Sequence, residues 1–216
     1  MALLCIAFAA SAFAKKEFVR PEVHPANTYP AKDSHPEERV TVAVDPYDKP
    51  DKASIFRVHY ADEGFLPVWL IITNDGADPV SLKDMNVELV TAKRSRIPAA
   101  DEGDLYRRLS NPQRNDQPSS PLPFPRSGKV KGAVSKDALN EIQSARFAAQ
   151  AAEPHTTRTG FVFFDVRGLS QPMAGATIYV SGIRDNNGKE LMFFEIPLDK
   201  YLNAAGSPQL PTHTGF

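Results

Sequence analysis

Three short runs decide most of what this chain can become. Residues 69–72 read Trp-Leu-Ile-Ile, residues 161–164 read Phe-Val-Phe-Phe, and residues 192–194 read Met-Phe-Phe. Their aromatic and β-branched side chains suit a pleated sheet, and in each run positions of both parities are apolar. Successive side chains of a strand point to opposite faces, so a strand of an antiparallel sheet with water on one side alternates apolar with polar. These runs do not. The sheet they build must be covered on both faces, once by a second sheet and once by additional chain. A helix expected over 135–152, with the arm that precedes the first strand, is the cover available. If neither lay across the sheet, Trp69, Phe163, Phe164, Phe193 and Phe194 would form an exposed aromatic patch, and such patches mark interaction surfaces.

The rest of the pattern is consistent with that requirement. Residues 39–44 alternate, with Val40, Val42 and Val44 on one side. Residues 55–60 alternate as well and predict a second strand, with Phe56, Val58 and Tyr60 sharing a face. Further strands are expected at 67–73, 79–82, 85–91, 159–166, 176–183 and 191–197. Asn74-Asp75-Gly76 reads as a turn. Asp185-Asn186-Asn187-Gly188 reads as a hairpin in which Asn187-Gly188 suits a type I′ turn. Strands in this number, frequent turns, no βαβ alternation and no glycine-rich phosphate loop indicate an all-β fold, an antiparallel β-sandwich.

Nineteen prolines weigh against an all-helical chain. Pro21, Pro25, Pro30 and Pro36 make 15–38 an extended arm. Pro112, Pro118, Pro121, Pro123 and Pro125 make 111–132 a polyproline-like loop. A short helix is expected at 101–109, capped by Asp101, with Leu105 and Leu109 on its buried side. The longer amphipathic helix starts at Ser135, and Ala138, Ile142, Ala145 and Ala149 form its apolar stripe. Together 101–153 form an insertion in the sandwich domain 39–202, and 203–216 are a tail.

The N-terminus bears on compartment. Residues 2–14 are an apolar run closing on Ala12-Phe13-Ala14, an A-x-A cleavage site, before Lys15-Lys16. This reads as a signal peptide occupying 1–14 and places the mature chain in the periplasm or outside the cell, with no transmembrane segment left after cleavage. Cys5, the one cysteine, falls inside it. The mature chain then has no disulfide, thiol nucleophile or thiolate metal site.

Phe65-Leu-Pro-Val-Trp-Leu-Ile-Ile-Thr-Asn-Asp-Gly76, followed by Pro79-Val80 and Ile97-Pro98-Ala99-Ala100, resembles a strand-turn-strand unit of exported immunoglobulin-like domains of bacteria. The segment from Pro154 into Gly160-Phe161-Val162-Phe163-Phe164 resembles their proline-led entry to a G-F-x-F-F strand. Tyr29-Pro30-Ala31, Asp45-Pro46-Tyr47 and Glu195-Ile196-Pro197 are similar to landmarks of a group of uncharacterised exported bacterial proteins carrying such a domain. The resemblance spans roughly residues 39–200. It implies an immunoglobulin-like sandwich and export, and it carries over no activity and no catalytic residue.

Several chemistries can be weighed residue by residue. The sequence has no G-x-S-x-G elbow, H-E-x-x-H helix or Walker loop, and Ser127-Gly128-Lys129 lacks the S-x-x-K spacing. His24, Asp33 and His35, with Glu37 and Glu38 close by, supply imidazole and carboxylate ligands for zinc or copper, although the intervening prolines would have to turn the chain back. Surface histidine is the plainer reading of these, as of His59, His155 and His213. Asp165 and Glu195 lie on predicted strands; glycoside hydrolysis would need such a pair to face each other. Lys93, Arg94 and Arg96, with Arg107 and Arg108, form a basic cluster balanced by Asp101, Glu102 and Asp104. It is either a solvated face or a site for an anionic envelope polymer. Net charge is −1, without the basic stripe that nucleic acid requires.

The reading is therefore a non-catalytic binding or structural module of the bacterial cell envelope, needing no cofactor. Its partner would be a protein or envelope polymer, met at a sheet edge, the aromatic face or the Pro-rich insertion. An envelope metal-binding protein or hydrolase is the alternative.

Overall fold

The computed structural model describes residues 17–110 and 136–206. The expected signal peptide, the expected Pro-rich loop, Ser135 and the end of the expected tail lie outside the described residues.

The chain folds mostly into antiparallel strands. They are β1 (Lys32–His35), β2 (Val40–Pro46), β3 (Phe65–Asn74), β4 (Val80–Ser81), β5 (Asn86–Val90), β6 (Arg96–Pro98), β7 (Ala151–Ala152), β8 (Thr156–Asp165), β9 (Thr177–Ser181) and β10 (Phe194–Pro197). Sheet order is β1-β2-β3-β8 in one layer and β10-β9-β5-β6 in the other, with β4 and β7 as a separate pair. Among the described residues four α-helices accompany them, α1 (Pro50–Ala53), α2 (Glu102–Ser110), α3 (Lys136–Ala145) and α4 (Asp199–Gly206), with one 3-10 turn at Ala26–Thr28. The β-rich, antiparallel expectation holds at that level.

β3 is the central element, and all ten of its residues are buried. Its two parities enter two separate cores. Leu66, Val68, Leu70 and Ile72 join Val40, Val42, Val44 and Phe164, and pack against Val87, Leu89, Ile178, Val180, Phe194 and Ile196 of the second sheet. Phe65, Trp69 and Ile71 face the other way with Phe161 and Phe163. That outer core is closed by Ala26 of the arm, Tyr47, Phe56 and Tyr60 of the β2–β3 connection, Leu105 of α2, and Ile142 and Ala145 of α3. The covered face demanded by the two-sided apolar strands is thus present, and more of the chain contributes than the helix and arm alone. The third run behaves differently. Met192 and Phe193 precede β10 in the second sheet and stay 68% and 42% exposed, while Phe194 is buried.

Local departures from expectation have local causes. Residues 55–60 are not a strand: α1 leads into successive turns, closed by Gly64 N–H to Ala61 O and Phe65 N–H to Tyr60 O. Phe56 and Tyr60 are nevertheless buried, because the folded loop puts residues four apart on one side. Part of the arm is not extended coil: Lys32–His35 forms the edge strand β1 along β2. The long helix stops at Ala145 instead of 152, since the next residues leave the helix to run along β8. Past Leu198, α4 replaces the start of the expected tail. In the hairpin, Gly188 has φ +80° and Asn187 is not left-handed; Asp185 N–H reaches Lys189 O, so the loop has three residues with glycine in the left-handed position, not type I′.

The sandwich's flanks are occupied. After α3 the chain rounds the β8 edge, where Phe147 N–H donates to Phe161 O at 2.8 Å. Ala99 N–H donates to Val87 O, and Ala100 N–H to Phe163 O, so the next segment bridges the two sheets. On the opposite flank the Asp33 carboxylate accepts from Glu195 N–H at 2.9 Å, tying β1 to the β10 edge. The exposed edges available for pairing a partner strand are correspondingly few.

Candidate functional site

The polar groups with the strongest organisation stand where β3 begins, β8 ends and α2 packs. Asp101 caps α2 by accepting from Asp104 N–H at 2.7 Å, which sets the helix so that Leu105 enters the outer core and Arg108 follows it inward. Arg108 is 8% exposed. Its Nη2 donates to Asp165 Oδ2 at 3.1 Å, and its guanidinium lies 5.8 Å from the centroid of the Phe65 ring. Asp165 ends β8 and is also gripped by Arg167, whose Nη2 and Nε donate at 2.7 and 2.9 Å. Gly64 makes this possible: a Cβ there would fall 2.1 Å from Arg167 Cγ, so the arginine stem lies where any other side chain would begin. Hydrogen bonding from Arg167, aided by the Arg108 charge, holds the Asp165 carboxyl below the usual aspartate range despite partial burial.

These groups line a cleft of about 440 Å³ together with Asp104 and Arg107, themselves paired at 2.8 Å. Among the described residues three guanidiniums and two carboxylates line it. The basic cluster expected over 93–108 is divided by the fold. Arg96 goes to the second sheet, paired with Glu88 at 2.6 Å and lying over Tyr179, and Arg94 occupies a turn with φ 64°. Arg107 and Arg108 reach the cleft, where Arg167 joins them. Arg167 was not among the residues expected from the sequence; the Asp-x-Arg spacing at 165–167 is the signal that could have found it.

The other candidates separate. His35 Nε2 approaches Asp33 at 3.7 Å and its ring stacks on Phe194 at 3.9 Å, whereas His24 pairs with Glu22. Among the described residues no three His, Cys, Asp or Glu side chains form a group able to hold a metal. Asp165 and Glu195 belong to different sheets, the first engaged by two arginines and the second set beside Tyr179 in register. Of the aromatic interaction surface, Trp69, Phe163, Phe164 and Phe194 are buried and serve the two cores. Phe193 alone of these stays half exposed, stacked on Tyr179 at 4.8 Å. Burial removes the other four as a docking face: the covering segments sit on Trp69 and Phe163, and Phe164 and Phe194 lie in the core between the two sheets.

Two further polar features are structural. The Glu141 carboxylate, carried inward by α3, accepts from Arg57 N–H at 2.7 Å and Val58 N–H at 3.1 Å, pinning the helix to the turns of 55–60. Burial pushes its pKa up, partly offset by those bonds. At the opposite end of the sandwich a cleft of about 780 Å³ lies among the loops. Two of its carboxylates are consumed by the adjacent hairpin: Asp185 accepts from Asn187 and Lys189 N–H, and Glu190 from Gly182 N–H.

Among the described residues no helix is long and apolar enough to cross a membrane. Comparison with family models, curated proteins and solved structures gave no match.

Proposed function

We propose that this chain is an exported, non-catalytic binding module of the bacterial cell envelope, one of the immunoglobulin-like sandwiches that its sequence resembles. It works from the cleft between α2 and the β3–β8 end, not through a sheet edge or an aromatic face. The observation that carries the reading is the buried Arg108, which with Arg167 holds a single carboxylate at the wall of an open cleft. Keeping a guanidinium in such a place costs desolvation that an apolar side chain would avoid, and a recognition site is a reason to retain it. Asp165 and Glu195, the pair that glycoside hydrolysis would need to face each other, lie in different sheets, which disfavours that reading.

Two measurements test this. Expressed from its full sequence in a bacterium, the protein should fractionate with the periplasm or medium and begin at Lys15. Purified mature protein should be retained by isolated envelope fractions and released by salt. Cytoplasmic retention of the uncleaved chain, or turnover of envelope polymers by the purified protein, would overturn the proposal.

A further inference from the structure

We propose that the α2 cleft is an oxyanion site, taking a carboxylate or phosphate group, and that Asp165 is the internal anion that such a ligand displaces. This rests on the reading of the cleft as the working site and adds the chemistry of what enters it. Guanidinium forks match carboxylate and phosphate oxygens and hold them with charge-assisted hydrogen bonds. Arg108 is the informative residue. It is nine-tenths buried, yet among the described residues its five-donor head makes one hydrogen bond, to Asp165. The residue lines the cleft. The Phe65 ring holds the cation from one side, and Gly64 lets the Arg167 stem lie flat so that its fork meets the same carboxylate. The donors are thus fixed before a ligand arrives.

Asp165 fills the role that the ligand would take. It ends its strand, is about one-third exposed, and takes bonds from both arginines. An incoming oxyanion can share or replace those bonds while the carboxylate swings toward water. Guanidiniums outnumber carboxylates among the described lining residues, which favours an anionic ligand. The apolar wall from Ile97, Pro98 and Ala99 would lie against the body that carries the anion.

The test is titration of the intact mature protein with inorganic phosphate and, separately, with D-galacturonate, followed by amide chemical shifts. The two arms distinguish a phosphate from a carboxylate source. Shifts should centre on residues 65, 104–108 and 165–167 and weaken with salt. Arg167→Gln, at a partly exposed position that should not prevent folding, should weaken binding roughly tenfold or more, the scale of one charge-assisted hydrogen bond. Asp165→Asn removes the competing anion and should tighten binding several-fold. Absence of shifts with both probes, shifts unchanged in Arg167→Gln, or weaker binding by a folded Asp165→Asn protein would each overturn the proposal. If the protein is still retained by envelope fractions in that case, the oxyanion assignment fails while the binding-module reading stands.

Discussion

Gly160 offers the sharpest test of how the flank of the sandwich is built. Its backbone is not left-handed, so alanine can adopt the same conformation and any effect must come from contact. A Cβ at this position would lie 2.3 Å from Phe147 Cα, 2.6 Å from Phe147 N and 2.9 Å from Arg146 C, all main-chain atoms. No rotamer change relieves that. The segment 146–147 must move away from β8 by about 1 Å, which breaks or stretches the 2.8 Å bond from Phe147 N–H to Phe161 O. Overpacking of this kind costs about 1–3 kcal/mol and the lost bond about 1 kcal/mol. Replacing glycine in a strand returns about 0.5–1 kcal/mol. Gly160→Ala should therefore lose about 1–3.5 kcal/mol, which for a chain of this size lowers Tm by roughly 2–14 °C. Urea unfolding measures the loss, and hydrogen exchange at the Phe147 amide localises it. A variant within about 0.5 kcal/mol of the parent, with that amide still protected, would show that the close approach does not constrain the fold.

Asn74 is buried and fully engaged: it donates to Asp78 O and Ala152 O at 2.8 and 3.0 Å and accepts from Gly76 N–H at 2.9 Å. Asn74→Ala strands these backbone groups and should cost about 2–4 kcal/mol in chemical denaturation. Ile142→Ala opens a void under α3 and should lose about 2–4 kcal/mol, with a hydrophobic dye binding the exposed outer core; unchanged dye fluorescence and stability would mean that α3 is not a tight cover. The two perturbed carboxyls act in opposite directions with pH. Asp165, depressed by Arg167 and Arg108, contributes stability above the usual aspartate pKa of about 4 that is lost as pH falls through its lower folded value; solvent screening limits it to about 1 kcal/mol. Glu141, raised by burial, binds its proton more tightly folded than unfolded, so its contribution is fully present below the usual glutamate range and is lost as pH rises through the raised value. Urea midpoints from pH 3 to 7 should show a shallower acid loss in Asp165→Asn and no decline with rising pH from this group in Glu141→Gln.

Much of the architecture was legible because strand composition is a local property and two-sided burial shows directly as two apolar parities. Trp69 and Phe161 on one side, and Leu70 and Phe164 on the other, announce two cores before any contact is known. The Asp101 cap was equally legible, since its bond to Asp104 N–H spans three residues. The segment 55–60 misled because its alternation is the same whether residues sit on a strand or in tight turns; Phe56 and Tyr60 are buried either way. β1 was missed because a short polar edge strand is defined by the neighbour it pairs with, and Lys-Asp-Ser-His carries no apolar face of its own.

Sequence by itself determined that a β-rich chain here needed cover on both sides of its central sheet, because the water-facing side of a strand cannot hold an unbroken apolar set. Which segments supplied that cover, and which charges met, was decided by tertiary structure. Arg108 and Arg167 stand 59 positions apart in the chain and share one carboxylate because α2 docks where β8 ends. No local pattern encodes a meeting that depends on the path of the chain between them.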